Sequence, residues 1–324
     1  MTRHLLDVDD LSAGELTAVL DLAGDEYPPR VLSGRGVGLV FQKPSARTRS
    51  SSELAVFQLG GHPVTIRGDE VGIDARESAE DVARTLAQYH CAIGARVLDH
   101  TVLDRMCAVV DVPVVNLLSD RSHPLQAIAD LLTLRAHWGG ALEGRRVAWV
   151  GDGNNVARSF VLACAMAGVH VAIATPAGYG LDEVTVDAVA SLGGSLVQTV
   201  APEEAVKEAD AVYTDVWVSM GQEDQSVERL DAFGPYRVGP QLMALAAPGA
   251  VFLHCLPAHR GEEVAAEVID GPASLVWPQA ANRLRAMRGL LLWLFGGHAG
   301  ERPDGAPASG RSLGLGLQAG QTTE

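Results

Sequence analysis

What most constrains this chain is a regular alternation of short, continuous apolar runs with longer segments of helical period. Apolar runs at 37–41, 63–66, 92–97 and 114–117 alternate with helical patterns at 48–59, 78–89, 102–110 and 124–138. A Gly-containing turn at 139–144 breaks the series, and a second one follows. Its strands are predicted at 147–150, 169–174, 196–200, 211–215 and 250–254, with helices at 155–167 and 181–192 and a last helix at 281–294. Continuously apolar strands are buried on both faces, as in parallel sheets covered by helices. The chain, at 324 residues, is long enough for two such units. The expected fold is therefore α/β, with two doubly wound parallel-sheet domains linked by long helices. The expected division is 1–138 and 139–280, then a C-terminal helix over 281–297. The Gly-, Pro-, Ser- and Thr-rich stretch 298–324 has no periodic pattern and is expected to be disordered. An opening helix at 11–22 starts beside Ser12, and Ser78 and Asp81 stand in capping-box relation.

Composition removes several function classes. No apolar run reaches the 18 or more residues of a membrane span, and the N-terminal MTRHLLDVDD lacks the apolar stretch of a secretory signal. The net charge of −15 argues against a general nucleic-acid binder, but it allows a few cations gathered around a small anion. The four cysteines, Cys91, Cys107, Cys164 and Cys255, include no CxxC, and the closest pair is 16 positions apart. A disulfide framework or structural zinc site is not expected, and a reducing cytoplasm fits. Basic residues are almost all Arg; the lysines are Lys43 and Lys207.

In doubly wound sheets ligands sit beyond the carboxyl ends of the strands, so the residues there carry the functional reading. After the first strand comes Lys43-Pro44-Ser45-Ala46-Arg47-Thr48-Arg49. Ser45 can cap the next helix, whose free amides, with the Ser45 and Thr48 hydroxyls and the Arg47 guanidinium, would cradle a phosphate. The same residues also suit an ordinary capped helix with exposed arginines. The third strand ends at Arg96. After the fourth, His123 and Gln126 are three apart at a helix start and point the same way. Together they could donate to one carbonyl oxygen, or His123 could be structural. Gly151-Asp152-Gly153-Asn154-Asn155 imitates a dinucleotide fingerprint, but it lacks the third glycine and the later ribose-binding acid. Its two amides suit a carboxylate or zwitterion, or a plain turn. Asp215 closes a strand and calls for a cationic partner. Cys255, at another strand end, could touch a substrate or be buried and inert. His254, Cys255 and His259 match no standard metal spacing.

Taken in order, Ser-x-Arg-Thr-Arg, the strand-end Arg96 and His-Pro-x-Gln resemble the carbamoyl-phosphate half of the aspartate/ornithine carbamoyltransferase family. Asp-x-Trp-x-Ser-Met-Gly and His-Cys-Leu-Pro are similar to its ornithine branch. The resemblance spans about residues 1–296. It implies transfer of the carbamoyl group of carbamoyl phosphate to the δ-amine of L-ornithine, giving L-citrulline and phosphate, within arginine metabolism. It places Ser45, Ala46, Arg47 and Thr48 on the phosphate motif. Arg96, His123 and Gln126 fall at the carbamoyl end, Cys255 and Leu256 on the active-site pair, and Arg283 on a further carbamoyl-phosphate arginine. Asn155, Asp215, Ser219 and Met220 fall on ornithine-binding positions. Arg96, His123 and Cys255 would be catalytic. The first two would stabilise the oxyanion, and Cys255 would orient the amine or handle its proton. The attacking amine must lose a proton from a group whose ordinary pKa is about 10.4, and a cationic pocket favours the neutral form. The resemblance also implies a return of the last helix to the first domain, a homotrimer or multiple of trimers, and no metal or organic cofactor.

The chain departs from the family pattern at three places. Ala46 stands where the family usually has Thr, which removes a hydroxyl and keeps the backbone amide. Gln42 replaces a Glu. In the segment 68–78, Glu70 occupies the place of a Gln or His that reaches a neighbouring subunit's phosphate, where a carboxylate would repel it. These departures leave two other readings: a paralogue that carbamoylates a different amine, and a non-catalytic family member.

Overall fold

In the computed structural model, residues 2–219 and 222–296 are described. Met220 and the stretch 298–324 lie outside the described residues.

The first series folds as β1 (Gly36–Phe41), α2 (Ala46–Gln58), β2 (His62–Arg67), α3 (Gly68–Val71), α4 (Ala79–Ala87), β3 (Ala92–Arg96), α5 (Thr101–Cys107), β4 (Val114–Leu118) and α6 (Pro124–His137), preceded by α1 (Ala13–Ala23). The second comprises β5 (Arg146–Val150), α7 (Asn155–Met166), β6 (His170–Ala174), α8 (Glu183–Ser191), β7 (Ser195–Thr199), α9 (Pro202–Val206) and β8 (Ala211–Thr214). It continues through α10 (Ser226–Phe233), α11 (Pro240–Met243), β9 (Val251–His254), α12 (Ala266–Ile269) and α13 (Val276–Phe295). Every strand pairing is parallel. The strand orders are β2-β1-β3-β4 and β7-β6-β5-β8-β9. Winding reverses between β1 and β3 in one sheet and between β5 and β8 in the other, so each sheet has a crevice at its carboxyl edge there.

The helices α2 and α7, which begin at these edges, are capped by side chains. Ser45 Oγ accepts from the Thr48 amide at 3.3 Å and starts α2. Asn154 Oδ1 accepts from the Val156 and Ala157 amides and starts α7. Ser12 and Glu15 form a full capping box on α1. Ser78 caps α4 through the Asp81 amide, but Asp81 turns its carboxylate to Arg84, so the expected reciprocal box is only half made.

The two glycines of the dinucleotide look-alike have a packing reason. Gly151 sits at φ 137° after β5, and a Cβ on Gly153 would lie 2.6 Å from the backbone carbon of Gly180. These positions need backbone without side chains; a pyrophosphate is not required to explain them.

The last helix begins five residues before the sequence-based boundary, at Val276 and not at 281. Pro278 is tolerated because it falls in the first turn, where the backbone N–H has no helical partner. At about 1.5 Å per residue α13 is roughly 30 Å long. It packs against α1, α2 and α6, and reaches β9. One apolar cluster runs through this packing. It takes Leu39 and Val115 from the first sheet, Trp149 and Tyr213 from the second, and Leu131 and Leu290 from the helices between. Among the described residues no helix is long and apolar enough to cross a membrane.

The contact of α13 with α1 is close enough to test. A Cβ at Gly289 would lie 2.6 Å from the Val19 carbonyl oxygen and 2.7 Å from the Ala23 Cβ. Ala is the better helix former by about 1 kcal/mol, but it would force these helices apart at an overpacking cost of about 1–3 kcal/mol. Gly289→Ala should therefore lower the thermal midpoint in a melting experiment; an unchanged or higher midpoint would show that the helices separate freely.

Candidate active site

A cleft of about 730 Å³ opens where the carboxyl edges of the two sheets face each other. Each predicted site residue within the described set lines it: Ser45, Ala46, Arg47 and Thr48 at the start of α2, and Arg96 at the end of β3. His123 and Gln126 line it from the start of α6, and Asn155 from α7. Asp215 and Ser219 follow β8, Cys255 and Leu256 follow β9, and Arg283 projects from α13.

One wall is cationic. Arg96 and Arg283 are buried, at 6% and 5% exposure, and exposed Arg47 stands at the start of α2. Burial pulls the guanidinium of Arg96 down to about 10, and the charges of Arg283 and Arg47 push the same way. Burial likewise pulls Arg283 down to about 10, opposed by the charge of Asp130. Arg96 also donates to the Thr48 hydroxyl at 3.4 Å. His123 is buried among these cations. Burial first, then Arg283, Arg96 and Arg47, holds its pKa well below the ordinary 6.5, so the imidazole is neutral.

The hydrogen bonds of His123 and Gln126 differ from the expectation that both donate to one oxygen. Arg283 Nη1 lies 2.9 Å from His123 Nε2 and 2.7 Å from Gln126 Oε1. A guanidinium has no lone pair to offer, so both neighbours accept. Gln126 turns its amide nitrogen the other way, to Asp130 Oδ1 at 2.8 Å. Burial pushes Asp130 up to about 7, against hydrogen bonds from Gln126, Gln279 and Tyr213.

The opposite wall is acidic. Asp215 is 4% exposed. Its Oδ1 accepts from the Cys255 thiol at 2.9 Å and its Oδ2 from Asn154 Nδ2 at 2.9 Å. Burial, reinforced by the Asp215 charge, pushes the Cys255 thiol well above its ordinary 9.0, so it carries its proton at neutral pH. Asn155 gives its amide nitrogen to the Ser119 carbonyl at 2.6 Å, tying α7 to the segment after β4. The Ser219 amide is held by Gln222 Oε1 at 3.0 Å. Behind this wall, Asp152 and Arg229 form a buried ion pair, and Arg229 also donates to the Trp217 carbonyl.

The turn carrying Cys255 and Leu256 is built around His254. Leu256 has φ 62°, a left-handed conformation costing roughly 1–2 kcal/mol for a residue with a side chain. Its amide donates to His254 Nδ1 at 2.9 Å, so His254 carries its proton on Nε2, 3.1 Å from buried Glu263. Asp215, His254 and Cys255 place ligand-type atoms within 4.8 Å of one another. Both His254 nitrogens and the Cys255 sulfur already have protein partners, so this cluster reads as a hydrogen-bonded unit.

Sequence reading missed Asn154, Asp130, Gln279 and Tyr213. In the sequence Asn154 and Asn155 form a pair of amides suited to a carboxylate, a zwitterion or a plain turn, and the family resemblance selects only Asn155. The other three are polar members of otherwise buried elements, and no local motif marks them. Lys43, for which sequence suggests no role, also lines the cleft. Glu70 is exposed and is not among the residues lining this cleft. Its backbone carbonyl accepts from Arg76, and Arg67 pairs with Asp69 on the short helix α3.

Fold and site together define a class: a two-sheet α/β protein whose cleft sets a cationic wall, built on one sheet and α13, against an acidic wall built on the other sheet. The chain belongs to the aspartate/ornithine carbamoyltransferase family. The family's carbamoyl-P binding domain matches residues 3–136, and its Asp/Orn binding domain matches residues 143–294. The chain is 49% identical over 306 residues to an ornithine carbamoyltransferase of Acidothermus cellulolyticus, covering 91% of this chain and 97% of that one. Among solved structures, the ornithine carbamoyltransferase from Pyrococcus furiosus superposes with a TM-score of 0.86 at 44% identity, covering 91% of this chain and 97% of that one. The Thermus thermophilus ornithine carbamoyltransferase does so with a TM-score of 0.83 at 43% identity, covering 91% and 99%.

Crowded, partly desolvated cations make an anion stabilising. At 100 times its dissociation constant, inorganic phosphate should add about 2.7 kcal/mol to folding stability. That corresponds to a rise of several degrees in thermal midpoint. Melting curves with and without phosphate at constant ionic strength check this, and an unchanged midpoint at saturating phosphate would refute the anion wall.

Proposed function

We propose that this chain transfers the carbamoyl group of carbamoyl phosphate to the δ-amine of L-ornithine, giving L-citrulline and phosphate. The observation that carries this reading is the meeting, in one cleft, of Arg96 and Arg283 with the capped start of α2, directly across from the Asp215–Cys255 pair.

The chemistry follows from the two walls. Phosphate oxygens are taken by the α2 start at Ser45, Ala46, Arg47 and Thr48, where amides, hydroxyls and a guanidinium converge. Arg96 and Arg283 polarise the carbamoyl carbonyl, and neutral His123 adds its ring to the same end. Gln126 Oε1 faces Arg283 and is suited to accept from the carbamoyl –NH₂. The δ-amine attacks the carbamoyl carbon, and negative charge builds on the former carbonyl oxygen where the cationic wall stabilises it. The bond from carbon to the bridging oxygen then breaks, and phosphate leaves with the electron pair and takes up the proton that the amine gives up. Asp215, Asn155, Ser219 and Met220 bind the amino-acid end of ornithine. Cys255 stays protonated and orients the amine; covalent attack by it is unnecessary because the amine is the nucleophile. Leu256 completes the site beside it.

The same reading takes 1–138 as the carbamoyl-phosphate domain and 139–280 as the ornithine domain. It takes α13, Val276–Phe295, as a helix returning to the first domain. It places the protein in the cytoplasm, in arginine biosynthesis, as a homotrimer or a multiple of trimers; light scattering would reject this with a monomer mass.

Steady-state citrulline formation tests the reaction with ornithine, putrescine and N-acetylornithine as acceptors. Ornithine should be preferred, and folded protein that turns over none of them would refute carbamoyl transfer. Arg47→Ala should lower kcat/KM about 10²-fold or more, as for loss of a donor to developing charge. Ala46→Thr restores one hydroxyl and should gain less than about tenfold. Equal activity of Arg47→Ala and the parent would overturn the phosphate assignment.

A further inference from the structure

Asp130 is fully buried on α6, one turn beyond Gln126, and does not line the cleft. Its Oδ1 accepts from Gln126 Nε2 at 2.8 Å and from Gln279 Nε2 at 2.7 Å, and its Oδ2 from the Tyr213 hydroxyl at 3.0 Å. These donors come from α6, α13 and β8. Three donors on its two oxygens hold this carboxyl group as an acceptor, and both glutamines turn their nitrogens inward to it. Their oxygens are thereby committed outward. Gln126 Oε1 accepts from Arg283 Nη1, and Gln279 Oε1 accepts from the His254 amide at 3.0 Å, next to Cys255.

We propose that Asp130 is a positioning residue for carbamoyl transfer, which holds Gln126 with its amide oxygen toward Arg283 and the carbamoyl –NH₂. The inference rests on the reaction proposed above. Turned over, Gln126 would present an NH₂ group to Arg283 and to the carbamoyl nitrogen, donors facing donors in a buried site. A neutral carboxamide at position 130 permits that inversion because it brings its own donor to the glutamine. The phosphate end of the substrate, bound at α2, does not depend on Gln126.

This separation supplies the test. Binding of carbamoyl phosphate and of inorganic phosphate is measured by calorimetry on the full chain, after turnover with ornithine has been established for the parent. Absence of carbamoyl-phosphate binding in the parent would count against the reaction, not against this role. Asp130→Asn should weaken carbamoyl phosphate about tenfold to a hundredfold and inorganic phosphate by less than about threefold, the scale of one buried, mispaired polar group. Asp130→Ser, whose hydroxyl still accepts, should show the same selective loss at smaller size. Tyr213→Phe removes a bond from the other carboxylate oxygen; it should lower the thermal midpoint and leave the ratio of the two affinities unchanged. Equal loss of both ligands, or no loss of carbamoyl phosphate, would overturn the proposal. So would failure of both Asp130 variants to fold, which would make the carboxylate a folding requirement.

Discussion

The arrangement of this protein turns on burying like charges side by side. Arg96 and Arg283 share a wall with His123, and both guanidiniums lose basicity to burial. Taking a cation out of water is costly unless it finds an opposite charge or good acceptors. Thr48 accepts from Arg96, and His123 and Gln126 accept from Arg283. Asp130 contributes negative charge at one remove, through Gln126. The charges of Arg283 and Arg47 still act against that of Arg96, and a dianionic ligand would relieve this repulsion. Binding energy is largest where the empty site is least content, which is how a stable scaffold can hold a strained site.

Tolerating that wall requires a rigid frame, and the frame is the pair α6 and α13. Both helices are buried along much of their length, and one apolar cluster joins them to each sheet. α13 packs against α1, α2 and α6, so Arg283 arrives from the far end of the chain against groups set by α2 and β3. The second sheet is tied to the same helices by Tyr213 on β8 and by Gln279 reaching the His254 amide. The cationic and acidic walls are thus referenced to a common scaffold.

Much of this was legible in the sequence because it is local. Strands buried on both faces read as continuous apolar runs, so the sheets and their order of appearance could be read directly. Ser45, Arg47, Arg96, His123 and Asp215 all sit just past strand ends, where doubly wound folds expose side chains to ligands. What was not legible depends on partners distant in sequence. Asp130 and Gln279 are 149 positions apart, and each looks like an unexceptional polar residue inside a helix. Gly151 and Gly153 imitate cofactor glycines in the sequence; the structure shows that Gly153 makes room for the 179–181 backbone and that Gly151 holds a positive φ. The polarity of Gln126 was invisible for the same reason, since a glutamine's direction is set by what it meets.

That polarity bears on how two oppositely charged walls can serve one reaction. An attacking amine must arrive without its proton, yet Asp215 is an anion that would favour an ammonium. In this cleft the Asp215 oxygens are occupied by the Cys255 thiol and by Asn154, both neutral donors. The thiol keeps its proton because burial and Asp215 both oppose ionisation. The acidic wall thus presents donors that are already paired to its carboxylate, while the facing wall presents cations that disfavour a charged amine. The arginines thus disfavour the protonated δ-amine, while Asp215, held in place by Cys255 and Asn154, keeps lone pairs for the amino-acid end of ornithine in the reading proposed above.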